Sequence, residues 1–248
     1  MKTKQPFVCG LLAVLCVLLF LGCKGRLDAQ EQRLTGPTDR FEFTKIKGGN
    51  EYSVRINTAA TGAVNIPAYY RPNAQSDFLP VTEIRNGLAL KITSVTIPST
   101  VTTIGLQAFW ECTSLTSITI PTSVTTIDMQ AFLGCTSLTS ITIPESVTSI
   151  GQQAFEGCTG LTSITLPAGV TINTWAFRGC TGIKEITIPA GATLRECVFG
   201  DWFTAQTIYI EGHATRESTI AAKWGGSWDK DNLFGEIPTY AKIVYKGK

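Results

Sequence analysis

Histidine is nearly absent from these 248 residues, occurring once as His213, and methionine occurs only twice. The chain has no G-x-S-x-G elbow, no phosphate-binding loop and no C-x-x-C pair. Those absences remove the usual sequence marks of serine hydrolases, nucleotide-handling enzymes and zinc sites. Charge is sparse too, at 16% of residues, with 21 basic side chains against 19 acidic. Nucleic acid is therefore not an expected partner, because its affinity rests on Lys and Arg neutralising phosphates. The scattered carboxylates Glu111, Asp128, Glu145, Glu156 and Glu185 share no register and do not converge on one site. The chain reads as a non-enzyme with no cofactor and no metal.

Apolar runs of membrane-spanning length are also lacking. The longest, Phe7 to Leu21, is fifteen residues and follows Lys2 and Lys4, whereas a membrane-spanning helix needs about 20. A basic start, a short apolar stretch and a small residue before Cys23 predict an export signal over residues 1–22. The closing LFLGC resembles the lipobox of bacterial lipoproteins, which implies cleavage before Cys23 and lipidation of its thiol. The simpler alternative is an ordinary signal in which Cys23 is incidental. Without Lys2 and Lys4 the chain carries 19 charges of each sign. Of the eight cysteines, Cys9 and Cys16 leave with the signal and Cys23 would carry lipid, so five remain. An odd count argues against a disulfide-stapled scaffold.

What the chain has in abundance is repetition. CTSLTSITIPTSVTTIDMQAF (112–132) returns 23 residues later as CTSLTSITIPESVTSIGQQAF. Prolines mark the period at Pro98, Pro121, Pro144, Pro167 and Pro189, and aromatics at Phe109, Phe132, Phe155, Phe177 and Phe199. A fixed period of 22 to 23 residues predicts a solenoid, because one coil cannot bury its own apolar face and stacked coils can. In LTSITIP, apolar and hydroxyl residues alternate as in a strand with one buried face, ended by a proline that offers no N–H. The VTTI segment predicts a second short strand. The next position holds Gly105, Asp128, Gly151 or Asn173, types that tolerate positive φ, so a left-handed corner is expected there. A helical or 3₁₀ turn then carries Ala and Phe inward. Cys112, Cys135, Cys158 and Cys180 form a column ended by Trp202, read as small buried hydrophobes; Cys197 lies outside it and is the expected reactive thiol.

The unit IGQQAFEGCTGLTSITLP resembles the BspA-like, or Treponema-type, bacterial leucine-rich repeat, LxxIxLPxxLxxIGxxAFxxC, over roughly residues 93–200. The resemblance implies a right-handed, curved, parallel-sheet solenoid, mainly β, on exported or cell-surface proteins, many of them associated with adhesion. Such adhesion implies host or bacterial partners. The expected partner is a protein, host matrix or another bacterial surface component, with a glycan as the alternative that the hydroxyl face and C-terminal aromatics leave open.

Five regions follow: signal peptide 1–22; lipidated Cys23 and a polar, flexible tether to 40; an N-terminal cap and divergent repeat 41–92; repeats 93–210; and a C-terminal cap 211–248. FEFTKIKGGNEYSVRI (41–56) predicts a β-hairpin over GGN. Pro67 stands 31 residues before Pro98, so about eight residues around YYRPNAQSDF are inserted into one period. Towards the C-terminus IYI continues the sheet, ATRESTIAAKW reads as a short helix and AKIVY as a last strand. Trp224, Trp228, Phe234 and Tyr240 are expected to seal the end or, alternatively, to form a sugar platform.

Two candidate partner-binding surfaces emerge. By alternation the outward strand face carries Ser94, Thr96, Ser117, Thr119, Ser140, Thr142, Ser163, Thr165, Glu185 and Thr187. The plain alternative is that these are solvated hydroxyls satisfying one another along the ladder. The second surface is the insertion, through Tyr69, Tyr70 and Arg71, since insertions in repeat proteins map to loops and often to the binding face. The expected function is an exported, lipid-anchored, outer-membrane or surface protein binding a macromolecular partner. The alternatives are a scaffold within the envelope and a glycan-binding module.

Overall fold

A computed structural model describes residues 33–212, apart from Pro37, Leu88, Glu196 and 203–205, together with 242–246. All regular structure there is strand, with one 3₁₀ turn at Lys47–Gly49. The N-terminal part contains β1 (Arg33–Thr35), β2 (Phe41–Ile46), β3 (Glu51–Ile56), β4 (Thr61–Asn65), β5 (Tyr69–Arg71) and β6 (Leu79–Ile84). The repeats then alternate a face strand with a shorter side strand. The first of these are β7 (Lys91–Thr96), β8 (Thr103–Ile104), β9 (Ser117–Thr119), β10 (Thr126–Ile127), β11 (Ser140–Thr142) and β12 (Ser149–Ile150). They continue as β13 (Ser163–Thr165), β14 (Thr171–Ile172), β15 (Glu185–Ile188) and β16 (Thr193–Leu194), followed by β17 (Thr207–Glu211) and β18 (Lys242–Lys246).

Each coil has three sides. Face strands stack in parallel and in register, Ser94 beside Ser117 and Ser140 beside Ser163. Side strands do likewise, Ile104 beside Ile127 beside Ile150 beside Ile172. Between them the proline carbonyl closes a turn by accepting the N–H of Val124 or Val147 at 3.0 Å. The third side is built of turns, not of helix. There Phe109, Phe132 and Phe155 N–H groups donate to the Ala carbonyl one coil on, at 2.7–2.8 Å.

Period fixes the core. Val, Ile, Leu, Ala, Phe and Cys at equivalent positions are buried in coil after coil. Phe109, Phe132, Phe155, Phe177 and Phe199 form one stack with centroid spacings of 5.1, 5.1, 5.4 and 6.0 Å, and Trp202 meets its end edge-on at 4.8 Å. The cysteine column is buried, as expected, and each thiol from Cys135 onward donates to the carbonyl of the Phe 26 or 25 residues earlier, at 3.0–3.1 Å. Trp202 takes the same place, its Nε1–H donating to Phe177 O at 2.8 Å.

The left-handed corner lies elsewhere than expected. Positive φ falls at Gln107, Gln130, Gln153, Trp175 and Cys197, two residues before each Phe, and again two residues after it at Glu111, Gly134, Gly157, Gly179 and Asp201. Gly105 and Gly151 keep negative φ and serve close approach instead. A Cβ on Gly151 would lie 2.5 Å from Met129 N, and one on Gly105 2.9 Å from Ile84 O. At the left-handed corner the glutamines stack, with Gln107 donating to Gln130 at 2.8 Å and Gln130 to Gln153 at 3.0 Å.

At the N-terminal end the expected hairpin is present, β2 pairing antiparallel with β3, and β3 leads into the side sheet through β6. Arg33–Thr35, which composition places in the tether, instead form β1 and pair in parallel with β5. At the other end β17 and β18 extend the face sheet in parallel, matching IYI and AKIVY. The predicted helix, Trp224, Trp228, Phe234, Tyr240, His213, and the whole leader with Cys23 lie outside the described residues.

Candidate binding surface

The strand face is where the fold leaves polar side chains unused. Thr96, Ser117, Thr119, Ser140, Thr142, Ser163, Thr165 and Glu185 are exposed, and Ser94 and Thr187 half-buried. Other hydroxyls of the same repeats are committed to the scaffold. Thr116, Thr139 and Thr162 donate to the carbonyl of the equivalent residue one coil earlier at 3.0–3.5 Å. Ser123 and Ser146 donate to Val101 O and Val124 O at 2.6 Å. None of the face hydroxyls makes such a bond within the described structure, so they do not satisfy one another along the ladder. Free hydroxyls in two straight rows offer both donors and acceptors to whatever lies across them.

This face is not one continuous sheet. Hydrogen-bonded pieces comprise β4-β7-β9, β11-β13 and β15-β17-β18. At the first join Thr139 N lies 3.5 Å from Thr116 O, against 3.0 and 2.9 Å in the neighbouring coils. A shallow depression opens at each join. One of about 690 Å³ is lined by Ser117, Thr119, Ser140, Thr142 and Glu145. The other, of about 680 Å³, is lined by Ser163, Thr165, Glu185, Thr187, Tyr209 and Lys246. In the second, the monotony of the rows ends: Tyr209 OH donates to Glu185 Oε1 at 3.4 Å, and Lys246 Nζ stands 4.3 Å from the Tyr209 ring centre. Tyr209 is in register with Thr187. Sequence reading missed it, although the alternation in IYI points it outward.

The insertion divides. Tyr70 is not a surface residue. Alternation along β5 turns it inward, where it stacks on Phe43 at 3.9 Å and meets Tyr52 edge-on at 5.0 Å. Tyr69 and Arg71 point the other way and are half-buried. Arg71 Nε donates to Thr35 Oγ1 at 3.0 Å, and its guanidinium lies 4.2 Å from the Phe78 ring centre.

Four of the five described cysteines are buried. Burial pushes Cys112 and Cys180 up to about 12, and Cys135 and Cys158 well above the ordinary thiol value. Cys197 is half-buried and free. Among the described residues no group of three His, Cys, Asp or Glu is placed to hold a metal.

Parallel strands, a one-per-coil aromatic and cysteine, and a shared core make this a leucine-rich-repeat solenoid. More narrowly, residues 88–203 match the BspA type leucine-rich repeat region, in six copies. The chain is similar to a leucine-rich cell-surface protein of Faecalibacterium prausnitzii, at 30% identity over 70% of this chain with a TM-score of 0.54. It spans about half of that protein's structure, 54%. It shares its fold with the leucine-rich-repeat protein of T. pallidum, at 22% identity and a TM-score of 0.55, covering 84% of this chain and all of that one. The pneumococcal vaccine antigen PcpA has the same fold, at 17% identity and a TM-score of 0.51, over 71% of this chain and 49% of its own. No curated protein sequence matches the chain significantly.

Proposed function

We propose that this protein is exported, lipid-anchored through Cys23 and displayed at the cell surface, where its strand face binds a protein partner in adhesion or host contact. The observation that carries the reading is the pair of hydroxyl rows that the scaffold leaves without internal hydrogen bonds. A flat, donor- and acceptor-rich surface repeated coil after coil suits an extended partner lying across the strands. Further support comes from the basic–apolar–LFLGC leader and from the surface description of the Faecalibacterium relative. The test is capture by the full-length protein from host matrix, glycans and envelope extract, alongside Thr119→Arg/Thr142→Arg. Loss of one captured partner at unchanged melting temperature supports the reading. Capture unaffected by the two arginines refutes the face, and resistance to protease on intact cells refutes surface display.

A further inference from the structure

The outward side of β1, β5 and the start of β6 forms a second, differently built surface on the sheet that contains the side strands. Registers Arg33 with Tyr69, Thr35 with Arg71, and Tyr69 with Pro80 bring residues from three chain segments onto one platform. Phe78 lies at its centre. The Arg71 guanidinium stands 4.2 Å and the Arg33 guanidinium 5.2 Å from its ring centre, and Arg33 is also 5.9 Å from that of Tyr69. Each Arg is thus held by an aromatic face, which takes up the apolar plane of the guanidinium and leaves its N–H edge available. Arg71 uses Nε on Thr35 and Nη1 on Ala74 O at 3.4 Å. Among the described residues neither Arg33 nor Arg71 forms an ion pair, whereas Arg55, Arg85 and Arg178 each pair with a carboxylate.

We propose that this Arg33–Tyr69–Arg71–Phe78 platform is a docking site for a carboxylate-bearing segment of a protein partner. Charge complementarity selects the occupant, since these two guanidinium groups have no counter-ion among the described residues and match carboxylate oxygens, Arg33 through its whole fork and Arg71 through the N–H groups left over from Thr35 and Ala74. A sugar would need a bare ring to stack on, and here guanidinium groups stand over both rings. A lipid surface is disfavoured because two cations near an anionic membrane contribute only about 1 kcal/mol each. Arg and Tyr are also the side chains that dominate binding hot spots, and the hydroxyl rows lack them until Tyr209. The platform stands independently of the strand-face reading.

The test uses full-length protein in non-ionic detergent and a fluorescent hexaglutamate peptide at physiological salt, where screening acts beyond about 8 Å. Binding should fall about tenfold for each of Arg33→Ala and Arg71→Ala. It should also fall in Arg33→Lys/Arg71→Lys, which keeps the charge and loses the planar fork. Lys184→Ala, equal in charge change but in the repeats, and Thr119→Arg/Thr142→Arg should retain binding. The proposal is overturned if wild-type protein does not bind the peptide, if Lys184→Ala weakens binding as much as Arg33→Ala, or if the double lysine variant binds like wild type. It is likewise overturned if vesicles containing phosphatidylglycerol bind through these arginines and the peptide does not.

Discussion

Replacing Phe132 with alanine tests the central claim about what holds the coils together. The ring is fully buried and sandwiched between Phe109 and Phe155, 5.1 Å away on either side at interplanar angles of 18° and 3°. Removing a buried phenylalanine costs about 3–5 kcal/mol through lost transfer and the cavity left behind, and ring pairs add about 0.5–1.5 kcal/mol each. The upper half of that range, about 4–5 kcal/mol, is expected here because two pairs break at once. Domains are stable by only about 5–15 kcal/mol in all, so the loss is a large share. A solenoid holds by nearest-neighbour interfaces, so the damage should also be local. Urea unfolding followed by circular dichroism should shift to a much lower midpoint. Amide exchange should speed up most in the coils of Phe109 to Phe155 and least near Phe199. Met129→Ala, at a side chain 38% exposed one coil position away, should change stability by less than about 0.5 kcal/mol. A Phe132→Ala loss below about 1 kcal/mol, or exchange accelerated uniformly along the chain, would falsify the stack as the structural spine.

Three further predictions concern the repeats. Burial raises the Cys112 and Cys180 thiols from 9.0 to about 12. Their contribution to stability is therefore complete below pH 9 and lost as pH rises from 9 towards 12. The urea midpoint should hold steady to about pH 9 and then fall. Among the described cysteines, iodoacetamide at pH 8 should label Cys197 alone until the chain unfolds, and column labelling at a rate matching Cys197 would sink the assignment. Gly151→Ala should destabilise more than Gly157→Ala. The first drives a Cβ to 2.5 Å from Met129 N. The second meets nothing closer than 3.9 Å at φ +70° and pays only the left-handed penalty of about 1–2 kcal/mol. Equal melting temperatures for the two variants would contradict that ranking.

The architecture was legible in the sequence because period does most of the work: Phe, Cys and Pro recur at a fixed spacing, and each lands in one column. The corner was misread for a physical reason. Gly, Asp and Asn after VTTI look like positive-φ residues, yet at Gly105 and Gly151 the position is narrow because the previous coil's backbone presses on it. The position that does adopt positive φ holds glutamine in three coils and then Trp175 and Cys197, types that give no such hint; each of the first two glutamines bonds the next one, a contact between residues 23 apart. Glycine's conformational signal was present in Gly134, Gly157 and Gly179, two residues after each Phe. For the binding surface, alternation correctly placed the outward rows. It could not separate Thr119 from Thr116, identical residues of which only the second is bonded to the previous coil. Tyr70 reads as exposed from the sequence because PNAQSDF disguises the strand before it, and once Tyr69–Arg71 is a strand its middle residue must face the core. Arg33 had no signal at all, since its partner Phe78 is 45 residues away.

The edge-on indole at Trp202 has a consequence for growth of the molecule. Every ring before it presents a flat face in both directions, so a duplicated unit inserted anywhere from Phe109 to Phe177 would find matching surfaces above and below. Trp202 presents an edge, and its N–H takes the Phe177 carbonyl in place of the thiol of its own coil, which ends the cysteine column. New units can therefore be accommodated upstream of this residue, and the tryptophan marks the point beyond which the stack does not lengthen.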